Sequence, residues 1–171
     1  VSFDVGVRAS HGSPKKLGAF VDAFASSRFA SELIAYRRSN FGVIRPYNVS
    51  RSRVLALELN AGVEALGHAR LESAATFLDP RDTTEGRRLV NDIIPFQSRL
   101  VSTTRFELHA DELGFLDRAA LGSTLDYRSS RYADPAGLIV LPESWMLGFD
   151  AAAWTWDARL RMAASVENAL G

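Results

Sequence analysis

An α+β fold is what the sequence predicts, with a small N-terminal sheet followed by a mainly helical core around one central helix. Three observations predict it. Val1, Phe3, Val5 and Val7 alternate with Ser2, Asp4 and Arg8, the period of a strand with one buried face. Between residues 84 and 117, Leu89, Ile93, Phe96, Leu100, Val101, Thr104 and Leu108 recur at helical spacing. The composition, 47% apolar and 23% charged in 171 residues, is that of an ordinary globular chain. A chain of this size buries roughly 70% of its unfolded surface. The length predicts a single domain, 1–171, with a strand, helix and hairpin part at 1–49 and a mainly helical part at 50–171.

Each element has its own signal. After the first strand, His11-Gly-Ser-Pro14 reads as a turn, with Ser13 and Pro14 as helix cap and first helical residue. Leu17, Phe20, Val21 and Phe24 then form one helical stripe. Leu33 to Ile44 reads as a hairpin turning near Ser39-Asn40. Residues 33–57 carry Arg37, Arg38, Arg45, Arg51 and Arg53 and no acid, interleaved with Tyr36, Phe41 and Tyr47. That pattern suits either a cradle for phosphates and stacked bases or a charged hairpin edge that resists aggregation.

Ser52 to Leu78 reads as a helical pair, with Gly67 at a position requiring positive φ. Asp79 to Thr84 is a loop able to cap the central helix, and Pro95 would kink or restart that helix. A polar loop over 127–135 leads to an apolar run and Ser144-Trp145. Asp150 to Leu170 closes the chain as an amphipathic helix packing Trp154, Leu160, Met162 and Val166.

Composition narrows the function. Twenty basic and twenty acidic residues balance to zero, against strong non-specific nucleic-acid binding. Eighteen of the twenty basic residues are arginine. The absence of cysteine removes disulfides and thiolate metal sites. His11, His68 and His109 share no metal-ligand spacing, and no Gly-rich phosphate loop or Ser/His/Asp context is present. The expectation is therefore no metal and no cofactor. No apolar run reaches the roughly 20 residues of a membrane-spanning helix, so no membrane partner is expected, and no signal-peptide pattern is visible. Val1 rather than Met opens the chain, which leaves room for a lost leader or longer precursor.

Four features occur in order: the opening strand and helix; Val63-Glu-Ala-Leu-Gly followed by Leu71, Ala74 and Leu78; Leu100-Val-Ser-Thr-Thr-Arg-Phe106; and Asp134-Pro135 leading to Ser144-Trp145. Together they resemble the ribosome-inactivating proteins, the rRNA adenine N-glycosidases related to ricin and the cereal seed toxins. The resemblance implies a shortened form of that fold. The family's helix carries a glutamate and an arginine. Arg105 matches the arginine, whereas Ser102 stands at the glutamate position. Trp145 matches the tryptophan under the active site, Tyr47 lies near the second adenine-stacking tyrosine, and Glu32 falls where the first is expected, with Tyr36 close by.

The resemblance implies an adenine stacked in a pocket, Arg105 meeting charge on the leaving base, and a carboxylate serving the cationic sugar. Ser102 cannot supply that charge, and losing such a contact costs about 2.7–4 kcal/mol. Glu143, two residues before Trp145, is the candidate substitute. Three readings follow: an N-glycosidase acting on a ribosomal rRNA stem-loop in a ribosome-containing compartment, a catalytically silent module binding a protein or RNA partner, and an unrelated α+β domain.

Overall fold

A computed structural model describes the chain except for residues 14, 40, 86–92, 170 and 171 and the side chain of residue 37. The strands are β1 (Ser2–Ser13), β2 (Leu17–Arg38), β3 (Ile44–Ala65), β4 (Ala69–Asp82), β5 (Leu100–Leu113), β6 (Leu116–Arg128), β7 (Arg131–Tyr132), β8 (Val140–Leu141), β9 (Ser144–Thr155) and β10 (Leu160–Val166). The predicted α+β fold is overturned. Among the described residues, strands hold 75% and helices 0%.

Eight of the strands form one antiparallel sheet in the order β1-β2-β3-β4-β5-β6-β9-β10, and β7 pairs with β8. Each strand of the large sheet lies beside its neighbour in this meander, and β1 and β10 make no contact with each other among the described residues. The sheet is therefore open, with two free edges.

The elements correct the predicted ones one by one. The opening strand is present and longer than predicted. The expected first helix is the start of β2. The hairpin over 33–44 is the far end of β2 and β3, its turn within 39–43; Asn40, half of the proposed turn pair, lies outside the described residues. The expected helical pair over 52–78 is the β3–β4 hairpin. There Leu66 and Gly67 both have positive φ (57° and 66°) and the His68 N–H donates to the Ala65 carbonyl at 3.0 Å, which defines a type I′ turn. Gly67 thus does need positive φ, in a hairpin rather than at a helix end. The proposed central helix falls on β5 and the start of β6, with Leu89 outside the described residues. The closing helix is the β9–β10 hairpin.

The two kinds of connection separate to opposite ends. Residues 14–16, 66–68, 114–115 and 156–159 link strands at one end; residues 39–43, 83–99 and 129–143 link them at the other. At this long-loop end a small core gathers Ala35, Val49 and Ile94, with Leu33 and Tyr47 against them. Backbone bonds knit the loops there: Arg38 N–H to the Ala133 carbonyl at 3.1 Å and Phe96 N–H to the Tyr132 carbonyl at 2.7 Å. Asp134 accepts from the Leu138 and Ile139 amides at 3.0 and 2.6 Å, holding the β7–β8 turn.

Elsewhere there is little interior. The accessible surface is 11812 Å² for an 18.7 kDa chain, against roughly 8300 Å² for a compact monomer of that mass. The excess is what a single sheet with two uncovered faces must have.

Candidate functional site: the two faces of the sheet

Residues directly opposite each other in an antiparallel pair share a face, and successive residues alternate. Following the register across all eight strands separates the side chains into two sets. One face carries Phe3, Val5, Val7, Val21, Leu55, Leu57, Leu59, Val63, Leu71, Phe77, Phe106, Leu108, Leu121, Leu125, Leu147, Phe149, Met162 and Val166, with small residues between them. Many are substantially exposed, Val5 at 70% and Leu121 at 59%.

On this apolar face no Asp, Glu, Lys or Arg occurs along Leu17–Phe29, Leu55–Ala65, Ala69–Phe77, Leu100–Ala110, Ala119–Tyr127, Trp145–Thr155 or Leu160–Val166. The opposite face holds the charges: Arg8, Asp22, Glu58, Glu64, Arg70, Glu72, Arg105, Glu107, Asp111, Arg118, Asp126, Asp150 and Arg161.

The polar face is cross-linked. Arg8 grips Asp22 with Nε and Nη2 at 2.6 and 3.0 Å. That bond is the first cause holding the Asp22 carboxyl below its ordinary range, with desolvation opposing it. Arg105 forks onto Asp150 at 2.9 and 3.1 Å, bonds Thr124 at 3.2 Å and reaches Glu107 at 3.3 Å. Its pKa rises above the ordinary arginine value, first because of the Asp150 bond. Gly122 makes this fork possible, because a Cβ there would come within 2.5 Å of the Asp150 Oδ1. Ser73 and Thr104 share a hydrogen bond at 3.0 Å on the apolar face, satisfying both hydroxyls there.

Three large aromatic residues on the polar face have specific partners. Phe20 lies opposite Gly62 and Phe24 opposite Gly6, each ring covering a glycine that lacks its own side chain. Trp154 sits between Arg118 and Arg161, whose guanidinium carbons lie 5.8 and 5.4 Å from its ring.

The residues singled out in the sequence do not form one cleft. Ser102 and Arg105 share a helical face but stand on opposite faces of a strand, three residues being an odd step. Ser102 lies on the apolar face opposite Ala75 and Tyr127. Trp145 is also on the apolar face, its ring 4.2 Å from that of Tyr127. Glu143 lies just before β9 and accepts the Tyr127 hydroxyl at 3.1 Å. Tyr47 packs in the small loop-end core, while Tyr36 and Glu32 are exposed on β2, Glu32 with φ 58°. The residues that sequence reading missed are Asp150, Thr124 and Glu107 around Arg105. Their signal was available as period-two alternation on β5, β6 and β9.

Among the described residues, no helix is long and apolar enough to cross a membrane, and no cluster of three or more His, Cys, Asp or Glu side chains could hold a metal ion. No family model matches the chain, and no curated protein is significantly similar to it.

Proposed function

We propose that this sheet is a sector of the wall of a membrane-spanning β-barrel, its apolar face against lipid and its polar face lining an aqueous lumen through which solutes pass. The observation that carries this reading is the charge-free, exposed apolar face opposite a face of paired charges. Water would not favour so large an apolar surface, whereas alternating apolar-out and polar-in strands are what a bilayer requires of a barrel.

Three further features support it. On β3 the uncharged outward run from Leu55 to Val63 covers nine positions. At about 3.4 Å each and a tilt near 40° it spans roughly 23 Å of membrane, close to the ~25 Å apolar band of such barrels. Short turns at one end and long loops at the other follow the same architecture. Phe3, Phe29, Phe77, Tyr127 and Trp145 stand toward the long-loop end, with Phe115 and Trp156 exposed in the short turns, as aromatic belts do at the two interfaces. The free edges of β1 and β10 need further strands, since an open edge is not tolerated in hydrocarbon. The expectation of no membrane partner rested on a criterion for helices and does not bear on strands.

The test is refolding the chain into phosphatidylcholine vesicles made with brominated acyl chains. Quenching of tryptophan fluorescence, absent from a Trp145→Phe variant in proportion to its share, is the expected result. A chain that stays in the aqueous phase unquenched would sink the barrel reading. The adenine-releasing reading keeps motif order as its support. Its assay is depurination of ribosomes, with Arg105→Ala as the control that must lose any activity seen.

A further inference from the structure

Near the short-turn end, two rows of the polar face run side by side across β1 to β4. One reads Ser10, Phe20, Gly62, Glu72, and the next reads Gly12, Gly18, Glu64, Arg70. Gly12 faces Gly18 directly, so neither strand lays a side chain over the backbone there. Glycine in a strand often marks a place where a ligand comes close. The result is a cavity of about 470 Å³, lined by Ser10, Gly12, Gly18, Phe20, Glu64 and Arg70 among others. That volume lies within the range of small-molecule sites.

Its chemistry is lopsided. Arg70 stands opposite Glu64 in the ladder, yet its Nη2 donates to Glu72 in the neighbouring row at 2.5 Å. Glu64 lines the cavity and makes no hydrogen bond or ion pair of its own among the described residues. Beside it lies the Phe20 ring, which covers Gly62; a Cβ there would come within 2.3 Å of it, so packing fixes its position. The face of an aromatic ring attracts cations, and quaternary ammonium groups are the ligands most often recognised this way. An anion would meet Glu64 head on, and a neutral solute would leave its charge unmatched. A bare metal ion would find too few ligands, since no cluster of three His, Cys, Asp or Glu occurs among the described residues.

We propose that this cavity binds the alkylammonium group of an organic cation, its methyl or methylene carbons against Phe20 and its charge toward Glu64. Ser10 offers a hydroxyl to a polar group on the rest of the solute. The site's place on the lumen wall, near the short-turn mouth, rests on the barrel reading above. Its chemistry needs only the folded sheet.

Choline and 3,3-dimethylbutanol, which share a shape and differ in charge, test this on the full chain refolded in neutral alkyl maltoside micelles. Ligand-observed NMR titration, against empty micelles, reads the binding. Choline should bind on the order of tenfold more tightly than the alcohol. Phe20→Leu, which keeps an apolar side chain, should weaken choline by about fivefold and spare the alcohol. Glu64→Gln should weaken choline by about threefold. Glu58→Gln, on the same strand and face but away from the cavity, should change neither. Circular dichroism shows whether each variant keeps its strands; should Phe20→Leu lose them, the ratio of the two probes on the wild-type chain and on Glu64→Gln decides. Equal affinity for the two probes, no binding of choline, or an equal loss in Glu58→Gln overturns the site. Choline binding by a chain whose tryptophans stay unquenched in brominated vesicles keeps the cavity and overturns the barrel reading with its lumen place. Quenching without choline binding overturns the cavity's role alone.

Discussion

The apolar and polar faces of this sheet are built from the same strands, one residue apart, yet they obey opposite rules. On β3, Leu57, Leu59 and Ala61 point to one side while Glu58, Asn60 and Gly62 point to the other. The apolar face has few specific pairs, Ser73 with Thr104 and Tyr127 with Trp145 among them. The polar face is made of named partners: Arg8 with Asp22, Arg105 with Asp150, Phe20 over Gly62. The difference teaches what each side must satisfy. On the barrel reading, the lipid-facing surface is limited by charge, and the lumen-facing surface by hydrogen bonding and fit.

The sharpest way to break this comparison places one cation on each face at the same height. Leu59→Arg puts a charge at the middle of the uncharged run, and on the barrel reading it should destabilise the membrane-folded state by about 2–4 kcal/mol. Asn60→Arg, its neighbour on the polar face, should cost under about 1 kcal/mol, as a solvated change usually does. Denaturant titration of the chain folded in vesicles reads both. Equal costs at the two positions would remove the distinction between the faces.

A smaller effect probes fit on the polar face. A Cβ at Gly62 would stand 2.3 Å from the Phe20 Cε1, far inside contact. Gly62→Ala must therefore displace the Phe20 ring, at about 1–3 kcal/mol for overpacking. Phe20→Ala should remove most of that penalty, so the double variant measures a coupling between the two positions. Additive losses would mean that the ring does not depend on the glycine. Enlarging a neighbouring apolar-face position of β3 instead, by Ala61→Val, should change stability little.

Part of this architecture was legible in the sequence. The first strand is a clean alternation, and Gly67 was identified as a residue at positive φ. The alternation Leu55, Leu57, Leu59, Ala61, Val63 is equally plain, yet it falls inside the stretch from Ser52 to Leu78 whose spacing predicts a helical pair. Two physical facts concealed the rest. Small residues (Ala23, Ala25, Ala61, Ala75, Ala151, Ala153) fill much of the apolar face, and alanine is the residue most favoured by helices. A barrel strand is also recognised by alternation alone, a weaker signal per segment than an amphipathic helix, and within the apparent helical stripe Ile93 and Phe96 precede β5 while Leu100 to Leu108 lie in it. Arg105 was legible as an important cation. Alternation along β9 puts Asp150 on the polar side, but its pairing with Arg105, 45 residues away, leaves no local trace.

The smallest expected effect lies where the apolar face meets the loops. Tyr127 stacks on Trp145 and donates its hydroxyl to Glu143 at 3.1 Å. Its pKa is raised, first by desolvation and then by the carboxylate that accepts its proton. A phenol with a raised folded-state pKa binds its proton more tightly folded than unfolded. The contribution is therefore fully present below the ordinary tyrosine value near 10 and is lost as pH climbs through the raised one. Absorbance at alkaline pH should show Tyr127 ionising late, and Glu143→Gln should move its titration back toward the ordinary value while burial keeps part of the shift. Trp145 fluorescence, quenched when the adjacent ring becomes a phenolate, reports the same event locally. A midpoint unmoved by Glu143→Gln would assign the whole shift to the apolar surroundings, and the junction would then belong to the face governed by burial rather than to the one governed by partners.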